Sequence, residues 1–119
     1  MNQSNALLES VLGSIRGAAV AVNRDLNILV WNERSHDLWG LRPDEVQGKS
    51  VLNLDIGMPV GELRAPIRAC LHDGADYKEV VLDAINRRGK PVRCRVICTP
   101  LLSPAKRREG VIMMMDEVT

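Results

Sequence analysis

At 119 residues, with hydrophobic residues at 45% and charged residues at 26%, the chain predicts a single soluble globular domain built on one core. Its formal charge of +1 and 3% aromatic content supply neither the basic face nor the stacking platforms that nucleic-acid binding needs. No apolar run approaches the ~20 residues of a membrane span, no signal peptide precedes the first element, and three cysteines without a CxxC pair predict reduced thiols in the cytosol, not a disulfide frame or zinc site.

The first element predicted is a helix over Asn5 to Ile15, capped by Ser4 or Asn5 and followed by Gly17. Leu8, Val11, Leu12 and Ile15 make its apolar stripe, which either folds back on the chain's own sheet or pairs with another chain. Gly17 to Asn23, rich in Ala and Val, reads as a strand buried on both faces. Asn23-Arg24-Asp25 turns the chain, and Leu26 to Trp31 returns as the second strand of a hairpin. Simple alternation puts Ile28 and Val30 on one face and Leu29 and Trp31 on the other.

In ILVWNERSHDLWGLRPDEVQG, Asn32 stops that strand and caps a helix over 33–39, with Glu33 at its positive end. Gly40 suits the left-handed residue that closes it. Pro43, Asp44 and Glu45 then open a second short helix, 43–47, and Gly48 ends it. Ser50 to Met58 is an apolar connector. Pro59 to Asp73 reads as the longest internal helix, with Leu63, Ile67, Cys70 and Leu71 on one face. Pro66 would break a helix interior, so regular helix is expected only from about Leu63. After Gly74, Tyr77 to Ile85 is a strand, Asn86-Arg87-Arg88-Gly89 a hairpin turn, and Val92, Cys94, Val96 and Cys98 mark the inward face of the next strand. Pro100 to Glu109 reads as a polar loop and Val111 to Met115 as the last strand.

A strand, an Asn-capped helix ending in an aromatic-Gly pair, and a Pro-acid-acid turn ending in Gly resemble the PAS fold, and the element order matches it over almost the whole chain. Arg42 stands where the family has a small N-cap residue, which weakens that cap. The resemblance implies an α+β domain over 17–119: a five-stranded antiparallel sheet with its first and last strands central, helices on one face, and residues 1–16 as a flanking helix, the end of a possible coiled coil. It implies sensing and signalling rather than catalysis. Asp116-Glu117-Val118-Thr119 resembles the family's Asp-Ile-Thr output motif, with Glu117 at the Asp position. Glu117, Val118 and Thr119 would therefore carry a signal to an effector domain of a longer parent chain.

A narrower resemblance lies in NALLESVLGSIRG, LDIGMPV joined to LRAPIR, and DAINRRGKPVRCRV. These strings are similar to the PAS module of bacterial chemotaxis receptor methyltransferases and their methylesterase fusions. They imply a cytosolic, non-catalytic module that forms homodimers and serves a methyltransferase. The alternatives are the PAS domain of a histidine kinase or cyclase, or a purely structural dimerisation or docking domain.

No Ser-His-Asp set, carboxylate pair or phosphate loop is placed for catalysis. A haem PAS would need an axial His on the long helix, and Glu62 to Leu71 holds none; His72 ends that helix and His36 lies among polar residues. The Asn-Cys-Arg-Phe-like string of flavin-adduct relatives is absent, so haem and covalent flavin are not expected, and no metal site is. Cys94 and Cys98, four residues apart on one strand, lie roughly 13 Å apart and out of disulfide reach. Arg87-Arg88 and Lys106-Arg107-Arg108 read as solvated loop charges. By the resemblance, Leu38, Trp39, Val80, Leu82, Val96, Cys98, Met113 and Met115 would line a pocket for a small apolar ligand between sheet and helices.

Overall fold

The computed structural model describes residues 10–15 and 17–118. Strands β1 (Ala18–Asn23) and β2 (Ile28–Trp31) are followed by helices α1 (Glu33–Trp39) and α2 (Pro43–Val46). Two 3-10 turns, Val51–Asn53 and Val60–Leu63, lead into α3 (Arg64–His72), and the chain closes with β3 (Lys78–Ile85), β4 (Pro91–Leu102) and β5 (Arg108–Val118). The sheet has five strands in the order β2-β1-β5-β4-β3, and every pairing is antiparallel. The first and last strands are thus neighbours, as expected. Their all-apolar runs suit strands covered on both faces.

One face of the sheet carries the main core. Val20, Val22, Trp31, Cys94, Val96, Cys98, Val111, Met113 and Met115 meet Trp39, Val46, Val51, Leu63, Ile67, Cys70 and Leu71 from the helical side. Gly40 closes α1 in the left-handed region, at φ 85°, and its N–H reaches back to His36 O. Arg42 makes no side-chain cap; its own N–H donates to Glu45 Oε1 at 2.7 Å instead. Pro66 falls in the first turn of α3, where its missing N–H would have had no helical partner. The regular helix therefore starts at Arg64, after the 3-10 turn.

The opposite face is covered at one end only. Residues 10–13 are helical, and Leu12 packs there with Ala19, Ala21 and Val30. Ile15 is half-buried beside them, whereas Val11 is 52% exposed within this chain. Val11 lies ~100° round the helix from Leu12, too far to reach the same surface. Leu8 lies outside the described residues.

Two expectations about the strands need correction. Val22 pairs with Ile28 and Ala21 with Val30, so Leu29 is the extra residue of a β-bulge. The bulge turns Ile28 and Trp31 together into the main core and leaves Leu29 and Val30 outside. The flanking helix therefore packs beside Val30, not Trp31. The final hairpin is also longer than its polar sequence suggests. β4 runs through Pro100 to Leu102 and β5 begins at Arg108, leaving residues 103–107 as the turn. Pro100 is tolerated because β3 reaches only to Lys78, opposite Cys98, so no ladder bond is lost on that side.

Arg108 is not a solvated loop charge. Its guanidinium donates to Cys70 O at 2.8 Å, Ala75 O at 2.6 Å, Gly74 O at 3.3 Å and Asp76 Oδ1 at 2.8 Å. It ties the end of α3 to the start of β5, and a planar fork is suited to several fixed acceptors at once. Arg108→Met should lower stability by about 2 kcal/mol, because it strands carbonyls at a helix end. Urea unfolding would check this; a change below about 0.5 kcal/mol would show that water serves those carbonyls as well.

Candidate functional site

The register assembles the inward residues into rows across the sheet. Val80, Val96 and Met115 are cross-strand partners in sequence, and Met115 pairs with Ala18. The next row is Cys98, Met113 and Val20, ending on Trp31. Val80, Leu82 and Leu38 are partly buried at the edge of this cluster; Trp39, Val96, Cys98, Met113 and Met115 are buried within it. All eight pocket candidates therefore share one face. They do not share one open space: Val96, Cys98 and Met113 have no accessible surface at all. A void large enough for water would expose part of its lining, so the middle of the sheet is filled.

The three thiols belong to that filled interior. Burial pushes Cys98 up to about 12. Burial, aided by the Asp116 and Glu117 carboxylates, does the same to Cys94. Burial also raises Cys70, against the pull of Arg108, and its Sγ lies 3.4 Å from Cys98 O. None is a thiolate at neutral pH. Iodoacetamide at pH 8 should leave all three unlabelled in the native chain and label all three in urea; rapid native labelling would contradict the burial. The folded thiols of Cys94 and Cys98 titrate above the unfolded value near 9. Their contribution to stability is therefore intact below pH 9 and is lost as the pH rises toward 12.

Of the two tryptophans, Trp31 donates its indole N–H to Leu41 O at 2.7 Å. Trp39 is only 6% exposed, and its Nε1 has no acceptor among the described residues. A buried unpaired donor carries a desolvation penalty of about 1–3 kcal/mol. This one sits at the end of α1, next to Leu38.

Leu38 stands where accessible space does exist. A cleft of about 350 Å³ is lined by Gly17, Ala18, Arg34, Asp37, Leu38, Met115, Asp116 and Glu117. A second, about 320 Å³, is lined by Asp37, Leu38, Asn86, Arg87, Arg88, Lys90 and Glu117. The first lies between α1, the start of β1 and the exit of β5; the second lies where α1 meets the β3–β4 turn and the exit of β5. That turn is fastened on two sides: Arg87 N donates to Leu38 O at 3.0 Å and Asn86 Nδ2 to Glu117 Oε2 at 3.2 Å. Of the expected output residues, Glu117 and Val118 are the last of β5, and Thr119 lies outside the described residues. Asp116, just before them, pairs with Arg95 at 3.0 Å. Glu33, His36 and Asp37 bring potential ligand atoms within 4.8 Å of one another, but on a seven-residue helix and largely in solvent.

A third feature was not anticipated. Arg24, Leu26, Arg64, Ile67, Arg68, Leu71 and His72 line a cleft of about 210 Å³ between α3 and the β1–β2 turn. Its members come from two segments about forty residues apart, so spacing alone gives no sign of it.

Among known families, the PAS fold matches the sequence over residues 6–118. No curated protein sequence matches significantly. Among solved structures, the chain is similar to the VqmA dimer of Vibrio cholerae, a LuxR-type receptor, in the absence of its target DNA: TM-score 0.79 and 16% identity, covering 96% of this chain and 51% of that one. A phage VqmA–DPO complex gives TM-score 0.79 and 19% identity, covering 98% and 55% of the two chains. The PAS domain of Bordetella pertussis BvgS gives TM-score 0.71 and 14% identity, covering 98% and 87%. The chain thus spans about half the length of the VqmA chains it matches. At these identities the likeness establishes the fold alone. Among the described residues, no helix is long and apolar enough to cross a membrane.

Proposed function

The chain belongs to the PAS fold family, and from that premise we propose that it is a non-catalytic sensory module of a longer cytosolic signalling protein. Its input is a small ligand received where α1 meets the exit of β5. The observation that carries this reading is the pair of clefts that Leu38 borders, both of which Glu117 at the exit of β5 also lines. A ligand that offers apolar surface to Leu38 would act on the groups that hold Glu117. It can move the exit of the chain only through different affinities for two arrangements of that strand. The VqmA–DPO complex among the structural relatives supports ligand binding by this architecture, not the ligand's identity.

The parent we propose is a chemotaxis receptor methyltransferase or its methylesterase fusion, on the strength of LDIGMPV and LRAPIR. Residues 1–16 would end a coiled coil and contribute to a homodimer, with effector domains of the same chain as partners. A second reading, a docking domain without a ligand, is favoured by the filled centre of the sheet around Val96, Cys98 and Met113. Mass spectrometry of the natively purified chain and a thermal-shift screen of polar metabolites separate the two. Under the sensory reading, a ligand raises Tm in the wild type. Leu38→Trp, which fills the border that the two clefts share, should leave the unliganded Tm within a few degrees and abolish that rise. If no ligand is found, or the Leu38→Trp variant binds it equally well, the docking reading stands.

A further inference from the structure

The cleft between α3 and the β1–β2 turn is lined by three arginines and a histidine, and by no carboxylate. Arg64, Arg68 and His72 follow one another at intervals of four along α3, so they rise on one side of the helix. α3 itself contains no acidic residue that could relieve their mutual repulsion. Among the described residues, no carboxylate lies within ion-pair distance of Arg24, Arg64 or Arg68. Asp25 and Asp73 adjoin lining residues in the chain but line no part of the cleft, and Asp76 is held by Arg108. Arg24 is oriented by a bond from its Nη1 to Arg108 O at 3.1 Å, and Arg108 is itself fixed by its own four acceptors.

The floor of the cleft is apolar: Leu26, Ile67 and Leu71. Leu26 reaches it from a left-handed backbone, φ 68°, which a branched apolar residue rarely adopts. Asn23 holds that conformation by accepting from the N–H groups of Asp25 and Asn27. Cations around an apolar floor, in a space of about 210 Å³, fit a small molecule with a charged head and a short hydrocarbon body. A cavity of ~150 Å³ already holds a benzene ring. An arginine fork matches a carboxylate through two parallel hydrogen bonds.

We propose that this cleft is a binding site for a small organic carboxylate with an apolar tail, its head held by Arg64 and Arg68 with Arg24 opposite, and its tail on Leu26, Ile67 and Leu71. The site is separate from the groove at Leu38: it lies at the Asn23–Gly110 end of the β1–β5 pair, while that groove lies at the Ala18–Met115 end. The two therefore stand or fall independently.

Amide chemical shifts of the labelled chain, titrated with hexanoate, hexan-1-ol and inorganic phosphate, test it. Hexanoate should shift the amides of 24–27 and 64–72 saturably, while the alcohol and the phosphate each bind at least about tenfold more weakly. Arg64→Gln and Arg68→Gln should each weaken hexanoate about three- to tenfold without changing Tm, and Arg93→Gln, on a distant strand, should not. The proposal is overturned if hexanoate gives no saturable shift, if the alcohol or phosphate binds equally well, or if both glutamine variants bind like wild type. Shifts confined to 37–39 and 115–118 would overturn it too, since they would place hexanoate in the groove at Leu38.

Discussion

Asn32→Ala should lower the melting temperature by about 10–20 °C, corresponding to a loss of about 3–4 kcal/mol. The side chain is nearly fully buried and every polar group on it is used. Its Oδ1 accepts from Ala19 N at 2.9 Å, Ser35 N at 3.0 Å and Ser35 Oγ at 3.0 Å. Its Nδ2 donates to Leu12 O and Gly17 O, both at 3.0 Å. One side chain therefore caps α1, fastens β1 and holds the end of the flanking helix against the outer face. Alanine leaves these backbone groups without partners in an interior where water has little access, and that penalty exceeds the net worth of an ordinary hydrogen bond. Asn32→Asp separates the two halves of the role: it keeps the acceptors for Ala19 and Ser35 but offers no donor to Leu12 and Gly17. It should retain α1 while releasing residues 10–15, seen as faster amide exchange there. A fall in Tm below about 4 °C for the alanine variant would show that the network is dispensable.

That network marks the limit of what the sequence reveals. An Asn between a strand and a helix is legible as a cap, because capping is local and its partner lies three residues on. The bonds to Leu12 and Gly17 cross fifteen to twenty residues, and nothing in the pattern announces them. Strand alternation likewise gives the faces of β3, β4 and β5 correctly, since those ladders are regular through the core. It fails at β2 because the bulge at Leu29 adds one residue on one strand, and a single added residue reverses every assignment beyond it. Arg108 was hidden by its neighbours: Lys106-Arg107-Arg108 reads as three solvated charges, yet only the tertiary placement of the α3 end beside β5 decides which one is engaged. The inward candidates were legible as a face but not as a space. Whether Val96, Cys98 and Met113 enclose a void or fill it depends on how closely Ile67, Cys70 and Leu71 approach from the helices, and hydrophobic patterning carries no such distance.

Packing in the middle of the sheet sets the second large effect. Met113 lies on β5, the central strand, between Cys98 on β4 and Val20 on β1, with no accessible surface. A tryptophan there must displace neighbours on the sheet or in the helical layer, because a close-packed interior has no spare volume to take the added ring. Met113→Trp should therefore destabilise the fold by about 3 kcal/mol or more, with Val96→Trp similar. Leu38→Trp, at the border of the two clefts, should cost less than about 1 kcal/mol and abolish any ligand-induced rise in Tm. Equilibrium urea unfolding of the three variants, with and without ligand, measures all of this. The contrast localises the sensing space: a filled centre and a usable rim require intolerance at Met113 and tolerance at Leu38. If Met113→Trp instead melts within about 2 °C of wild type and alone eliminates the ligand response, the centre of the sheet opens to admit a ligand, and the receiving site belongs between Val96, Cys98 and Met113, not beside Leu38.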